Sequence, residues 1–176
     1  MRTLEEGSRG KESQGASTCE KQVETELGKS FAEAAPIRWV GGIFPLSSMP
    51  GLYATATHYI SASFGEGFDL PMAEAAACGL QLIAPKHSAY LDYLNDEIAH
   101  LIPATMAEAI FTGNSGEAGL FSGSHWWQPD IDELCRAIRE IINGTAKIKK
   151  PARSFIEQLT WSRTAQQLDE LIFSSK

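Results

Sequence analysis

The chain has 176 residues, 43% of them hydrophobic, and a formal net charge of −7. Its size and apolar content fit one globular domain with a sizeable core. Its acidic balance argues against the basic face that nucleic-acid binders use to release counterions, so nucleic acid is not an expected partner. No apolar run approaches the roughly 20 residues that a transmembrane helix needs, and the polar segment Met1 to Gln14 lacks the apolar core of a signal peptide. Cys19, Cys78 and Cys135 are widely spaced and form no C-x-x-C pair, which argues against a disulfide framework or a zinc site and makes a reducing cytoplasm the expected location.

Residues 1–16 (MRTLEEGSRGKESQGA) are rich in Glu, Ser, Gly, Arg and Lys. Little burial would offset the entropy of ordering them, so disorder is expected there. The expected domain, 17–176, opens at Ser17, whose spacing to Glu20 is that of a capping box. Cys19, Val23 and Leu27 recur every four residues and predict a helix over about 18–34. After Pro36, the run Ile37-Arg38-Trp39-Val40 reads as a buried strand closed by Gly41-Gly42.

From there helices and strands alternate. Ser48 to Thr57 predicts a short helix, His58 to Ser63 a strand, and Pro71 to Cys78 a helix ended by Gly79. Leu80 to Ala84 predicts a strand, Ser88 the cap of a helix to about Asn95, and Ala99 to Ile102 a short strand. Short apolar strands alternating with helices predict an α/β fold, a Rossmann-like parallel sheet with helices on both faces. Residues 104–128, with Gly113, Gly116, Gly119 and Gly123, read as a loop insertion. Helices over Ile131 to Asn143 and Ser154 to about Phe173 close the chain, joined by the basic linker Lys147 to Lys150.

The chemistry concentrates in Ser61-Ala-Ser-Phe-Gly-Glu66-Gly67-Phe68-Asp69-Leu70-Pro71-Met72-Ala73-Glu74-Ala-Ala-Ala-Cys78-Gly79. This segment lies where a strand ends and a helix begins, at the carboxyl edge of the expected sheet, where open α/β folds bind ligands. Gly65 and Gly67 allow a sharp turn and close approach to a ligand. Pro71 suits the first helical position. The free amides and positive dipole end of that helix would accept an anion such as a pyrophosphate. Glu66 on the loop and Glu74 about one turn inside the helix flank this position, and carboxylates accept strong hydrogen bonds from sugar hydroxyls.

The E-x7-E spacing inside E-G-F-x-L-P-x-x-E-A-x-A-C-G closely resembles the signature of family-4 (group 1) retaining glycosyltransferases. Ile37 to Gly41, Pro50 to Ala56, Ser88 to Asp92, Leu101 to Pro103 and Leu159 to Trp161 extend the resemblance over about 18–172. The resemblance implies part of the C-terminal, donor-binding domain of a GT-B fold, in which two Rossmann-like domains face each other. It implies transfer, with retention, of a sugar from a UDP- or GDP-sugar to an acceptor. Glu74 would hold the ribose hydroxyls, Glu66 would serve as the catalytic-site contact to the transferred sugar, and the backbone of Gly67, Phe68, Asp69 and Leu70 would meet sugar and diphosphate. The family works without a bound metal or other cofactor. Two positions depart from its pattern: Asp69 stands where glycine is common, and Gln81 replaces a usual proline.

The family's phosphate-binding Arg and Lys and its acceptor-binding domain belong to earlier sequence, so this chain reads as a fragment. A missing N-terminal domain or self-association is the expected partner. A non-catalytic nucleotide-sugar-binding module and a non-functional fragment are the alternative readings. Elsewhere, His87 lies at the same expected sheet edge and could touch ligand, whereas His58 and His100 read as packed or edge residues. Trp126-Trp127 reads as a staple for the following helix, with a sugar platform as the alternative. Lys147, Lys149 and Lys150 read as a solvated linker, with peripheral contact to anionic lipid as the alternative.

Overall fold

The computed structural model describes residues 20–34, 36–37, 40, 43–110 and 122–173. The chain divides into two compact units, residues 1–49 and 50–176. In the first unit, helix α1 covers 20–27. It stops where Gly28 takes φ +64 and donates its N–H to the Glu24 carbonyl at 2.9 Å, a left-handed helix stop that glycine makes at no steric cost. The helix expected to reach residue 34 therefore ends earlier. Ser30 opens a separate 3-10 turn, Phe31–Glu33, and its N–H donates to Glu33 Oε2 at 3.2 Å.

Ile37 and Val40 lie in no strand and are about half exposed (48% and 54%). The buried strand expected there does not form at its described positions, which are neither buried nor paired with a strand. Ser17, Arg38, Trp39, Gly41, Gly42 and the expected disorder of 1–16 lie outside the described residues. A 3-10 turn, Leu46–Ser48, leads into helix α2 (Met49–Tyr53).

The second unit is an alternation of β1 (His58–Ile60), α3 (Leu70–Ala77), β2 (Gln81–Pro85), α4 (Tyr90–Tyr93) and β3 (Ala99–Ile102). The strands form a parallel sheet in the order β1-β2-β3, with His58 opposite Gln81 and Leu82 opposite Ala99. Strand β2 is central, and Leu82, Ile83, Ala84 and Pro85 are all buried, the continuous apolar run expected of a strand covered on both faces. Ile83 joins Ile102 and Leu134 in a cluster packed by Ala137, Ile138 and Ile141 of helix α5 (Ile131–Ile142). Helix α3 contacts β1 and β2 and buries Met72, Ala73, Ala75 and Ala76; its small alanines permit that close approach. Each fully buried large side chain here, such as Met72 or Ile83, contributes roughly 1.5–3 kcal/mol. The expected α/β architecture, a parallel sheet flanked by helices, is the one observed.

Three stretches differ from expectation. The segment expected to be a loop contains an antiparallel hairpin of β4 (Ala104–Glu108) and β5 (His125–Pro129), paired from Ala104 opposite Pro129 to Glu108 opposite His125. Its glycines at 113, 116 and 119 lie outside the described residues. The helix expected over 154–173 is broken into α6 (Arg153–Ile156) and α7 (Trp161–Phe173), and Thr160 Oγ1 accepts the Arg163 N–H at 3.2 Å to restart it. The linker expected to be simply solvated is pinned to the sheet. The Gln81 amide donates to the Lys149 carbonyl at 3.2 Å and accepts the Lys149 N–H at 2.7 Å, while Lys149 Nζ donates to the Asp96 carbonyl and Lys150 Nζ pairs with Glu97. Among the described residues, no helix is long and apolar enough to cross a membrane.

Candidate functional site

The loop between β1 and α3 carries the motif and stands at the carboxyl end of the parallel strands. Its turn is made by Asp69, which takes φ 60 and ψ 71, whereas neither Gly65 nor Gly67 has a positive φ. The two glycines leave open space instead, since a Cβ added at either would meet no atom within 4 Å. Left-handed backbone is the conformation in which glycine is favoured and Asp is tolerated, because its short side chain bonds locally. This accounts for an aspartate where the resembled pattern often has glycine.

Asp69 is also the cap of α3. Its Oδ1 accepts the Met72 N–H at 3.2 Å, and its Oδ2 accepts the Tyr90 hydroxyl at 2.7 Å. Because Tyr90 gives its one proton to Asp69, the Ser61 hydroxyl, 2.7 Å away, donates to Tyr90 in turn. The result is a chain of hydrogen bonds from the end of β1 to the start of α3, of the kind whose members polarise one another.

The first-turn amides are therefore not all free, as the sequence had suggested: Met72 is capped and Pro71 has none. What stays open lies just upstream. Among the described residues, the N–H groups of Gly67, Phe68 and Leu70 reach no protein acceptor. Phe68 is anchored differently, since its carbonyl accepts the Tyr93 hydroxyl at 2.7 Å and its ring lies 5.1 Å from that of Tyr93. Leu70 is exposed.

Glu66 and Glu74 are both half-buried. Tyr53 of α2 donates its hydroxyl to Glu74 Oε2 at 2.9 Å, fixing that carboxylate at the helix start. Burial first, then the hydrogen bond to Glu74, raises the Tyr53 phenol above its ordinary value, so it remains a donor. Tyr59 is raised by burial and then by the charges of Asp69, Glu66 and Glu74. One phenol thus feels all three carboxylates. Tyr90 is raised by burial, with the Ser61 hydrogen bond opposing and the Asp69 bond adding; Tyr93 is raised by burial and then by Asp69 and Glu66. All four tyrosines of the chain surround this loop, a feature that sequence reading missed because they are scattered over three elements.

Among the described residues no lysine or arginine pairs with Glu66, Asp69 or Glu74, and no group of His, Cys, Asp and Glu could hold a metal ion. His87, which by its place at the sheet edge could touch ligand or serve the loop alone, is held by the protein's own groups. It is 1% exposed, its Nε2 lies 2.9 Å from the Ser63 carbonyl and its Nδ1 3.0 Å from Ser88 Oγ, and its ring stacks on Trp127. With both nitrogens engaged, it braces the loop through the Ser63 carbonyl. Ser88 makes no side-chain cap to α4: it takes a left-handed φ of 47, Ala89 holds the cap position, and its hydroxyl meets His87 Nδ1. Cys78 is exposed.

Residues 48–168 match the protein family described as Family 4 Glycosyltransferase in conflict systems. The search of curated proteins found no match. Among solved structures, the sucrose-phosphate synthase of Thermosynechococcus elongatus is similar in fold, with a TM-score of 0.57 at 21% identity over 89% of this chain. The chain spans about a third (34%) of that enzyme's length.

Proposed function

The chain belongs to the family 4 glycosyltransferases of conflict systems, and from that premise we propose that it binds a UDP- or GDP-sugar and forms the donor-binding part of a retaining enzyme. The observation that carries this reading is the run of unpartnered amides at Gly67, Phe68 and Leu70, flanked by Glu66 and by the Tyr53-held Glu74. Amides without an acceptor at a helix entrance suit diphosphate oxygens. Glu74 Oε1, with Oε2 held by Tyr53, takes the ribose hydroxyls, and Glu66 takes hydroxyls of the transferred sugar.

In the transfer, the bond from the anomeric carbon to the diphosphate breaks, and a bond to the acceptor oxygen forms on the same face. The proton of the acceptor hydroxyl passes to the departing diphosphate oxygen on that face. The negative charge that develops on the leaving diphosphate is met by preorganised amides. The site's own charge is negative, so the cations that would balance a diphosphate come from outside this site, from another part of the enzyme or a second chain. Turnover then requires that part, because donor and acceptor must be held together.

The test is calorimetric titration with UDP-glucose and GDP-mannose in buffer containing EDTA. At least one is expected to bind, and Glu74→Ala to weaken it about tenfold or more. A folded protein with no affinity for any UDP- or GDP-sugar contradicts the reading.

A further inference from the structure

Three side chains from one short stretch hold the motif loop at three points. His87 Nε2 lies 2.9 Å from the Ser63 carbonyl, the Tyr90 hydroxyl donates to Asp69 Oδ2 at 2.7 Å, and the Tyr93 hydroxyl donates to the Phe68 carbonyl at 2.7 Å. Of these bonds, only that of Tyr93 reaches the backbone of the run whose amides are open. The ring of Phe68, 5.1 Å from that of Tyr93 at an interplanar angle of 35°, adds a second contact with the same residue. Burial first, then the charges of Asp69 and Glu66, hold the Tyr93 phenol above its ordinary value, so it stays a donor.

A peptide unit is planar, with its carbonyl and its N–H pointing in opposite directions. Holding the Phe68 carbonyl toward Tyr93 therefore turns the Asp69 N–H away from Tyr93. Among the described residues, that N–H too reaches no protein acceptor. Asp69 would not choose this orientation alone. Its φ of 60 lies in the left-handed region, which a side chain disfavours. Turning the Phe68–Asp69 peptide over would carry Asp69 out of that region and set a carbonyl oxygen where the N–H now stands. The Tyr93 bond opposes that turn.

We propose that Tyr93 is a positioning residue for sugar-nucleotide binding: its hydroxyl holds the Phe68–Asp69 peptide so that the Asp69 N–H, and not a carbonyl oxygen, meets the diphosphate. The inference rests on the donor reading of this loop, and it adds Asp69 to the amides of Gly67, Phe68 and Leu70. An N–H is the end of the peptide dipole that an anion prefers, so the direction of this one peptide decides whether it attracts or repels the ligand.

Tyr93→Phe keeps the ring against Phe68 and removes the hydroxyl. In the free, partially aligned 15N-labelled protein, the residual dipolar coupling of the Asp69 N–H reports the direction of the peptide. It is expected to change in Tyr93→Phe and to keep its native value in Tyr53→Phe, which acts on Glu74 instead. Calorimetry with UDP-glucose and GDP-mannose is expected to show about fivefold weaker binding by Tyr93→Phe than by the native chain. A coupling that Tyr93→Phe leaves unchanged, or that both variants change alike, overturns the proposal. A native chain that binds neither sugar nucleotide contradicts the donor reading, and the positioning role with it. A native chain that binds, beside a Tyr93→Phe protein that binds equally well, contradicts the positioning role alone.

Discussion

The hydroxyl of Tyr53, on the short helix before the sheet, donates a 2.9 Å hydrogen bond to Glu74 Oε2, on the helix after the motif loop. The bond joins positions 21 residues apart and sets the carboxylate before any ligand arrives. Tyr53→Phe keeps the packing and removes this bond. Since Glu74 is half-buried and can recruit water, the stability cost is expected to be about 1 kcal/mol. Nucleotide-sugar affinity is expected to fall severalfold, because Glu74 must then be ordered at the moment of binding. Urea unfolding and calorimetry read the two effects separately; unchanged affinity would deny Tyr53 a positioning role.

Asp69 combines a left-handed backbone with a helix cap and a bond to buried Tyr90. Asp69→Ala loses the cap, leaves the Tyr90 hydroxyl only its bond with Ser61 and keeps the strained φ, and is expected to cost about 2 kcal/mol. Asp69→Gly loses the same side-chain bonds but relaxes the backbone, and is expected to be about 1 kcal/mol less harmful than alanine. Denaturant midpoints compare them. Glycine proving the worse of the two would contradict the backbone assignment.

Gln81 uses its amide twice on Lys149 and its N–H on the Thr57 carbonyl. Gln81→Ala is expected to cost about 1–2 kcal/mol. Gln81→Pro, which installs the residue of the resembled pattern, also removes the N–H bond to the Thr57 carbonyl and is expected to cost about 3 kcal/mol or more. A proline variant as stable as the native chain would show that the linker does not depend on this contact.

His100 on β3 carries a pH effect. Burial first, then the charge of Lys149, lowers its pKa from the ordinary 6.5, with His58 adding to that and the Lys147 backbone bond and Glu140 opposing it. The folded state then holds this proton less readily than the unfolded chain. Stability from this group is full above pH 6.5 and falls as pH drops below 6.5 toward the folded value. The thermal midpoint is expected to decline on acidification from pH 7 to 5.5, and to decline less in His100→Gln. Equal declines in the two proteins would remove His100 as a cause.

Much of the sheet was legible because its signals are local. The run Gln81–Pro85 is apolar enough for a central strand, and Gly79, at φ +86, marks the end of α3. The motif loop was legible for the same reason, since its residues are consecutive. What escaped depends on partners distant in sequence. The cap role of Asp69 needs Tyr90, the burial of His87 needs Trp127, and β4 needs β5 across a stretch of glycines. The alanines and glutamate of β4 carry little strand propensity, so pairing and not composition makes it a strand. Likewise, nothing in Arg153–Phe173 announces a break except a threonine able to cap.

The most direct test concerns the open amides between the two glutamates. In 15N-labelled protein, UDP-glucose or GDP-mannose is expected to shift the amide signals of Gly67, Phe68 and Leu70 downfield, with smaller changes at Met72, whose N–H is already held by Asp69. Glu74→Ala is expected to weaken the titration while leaving the free spectrum folded. Saturating sugar nucleotide that moves none of these three amides, or that perturbs residues elsewhere instead, would contradict donor binding at this loop.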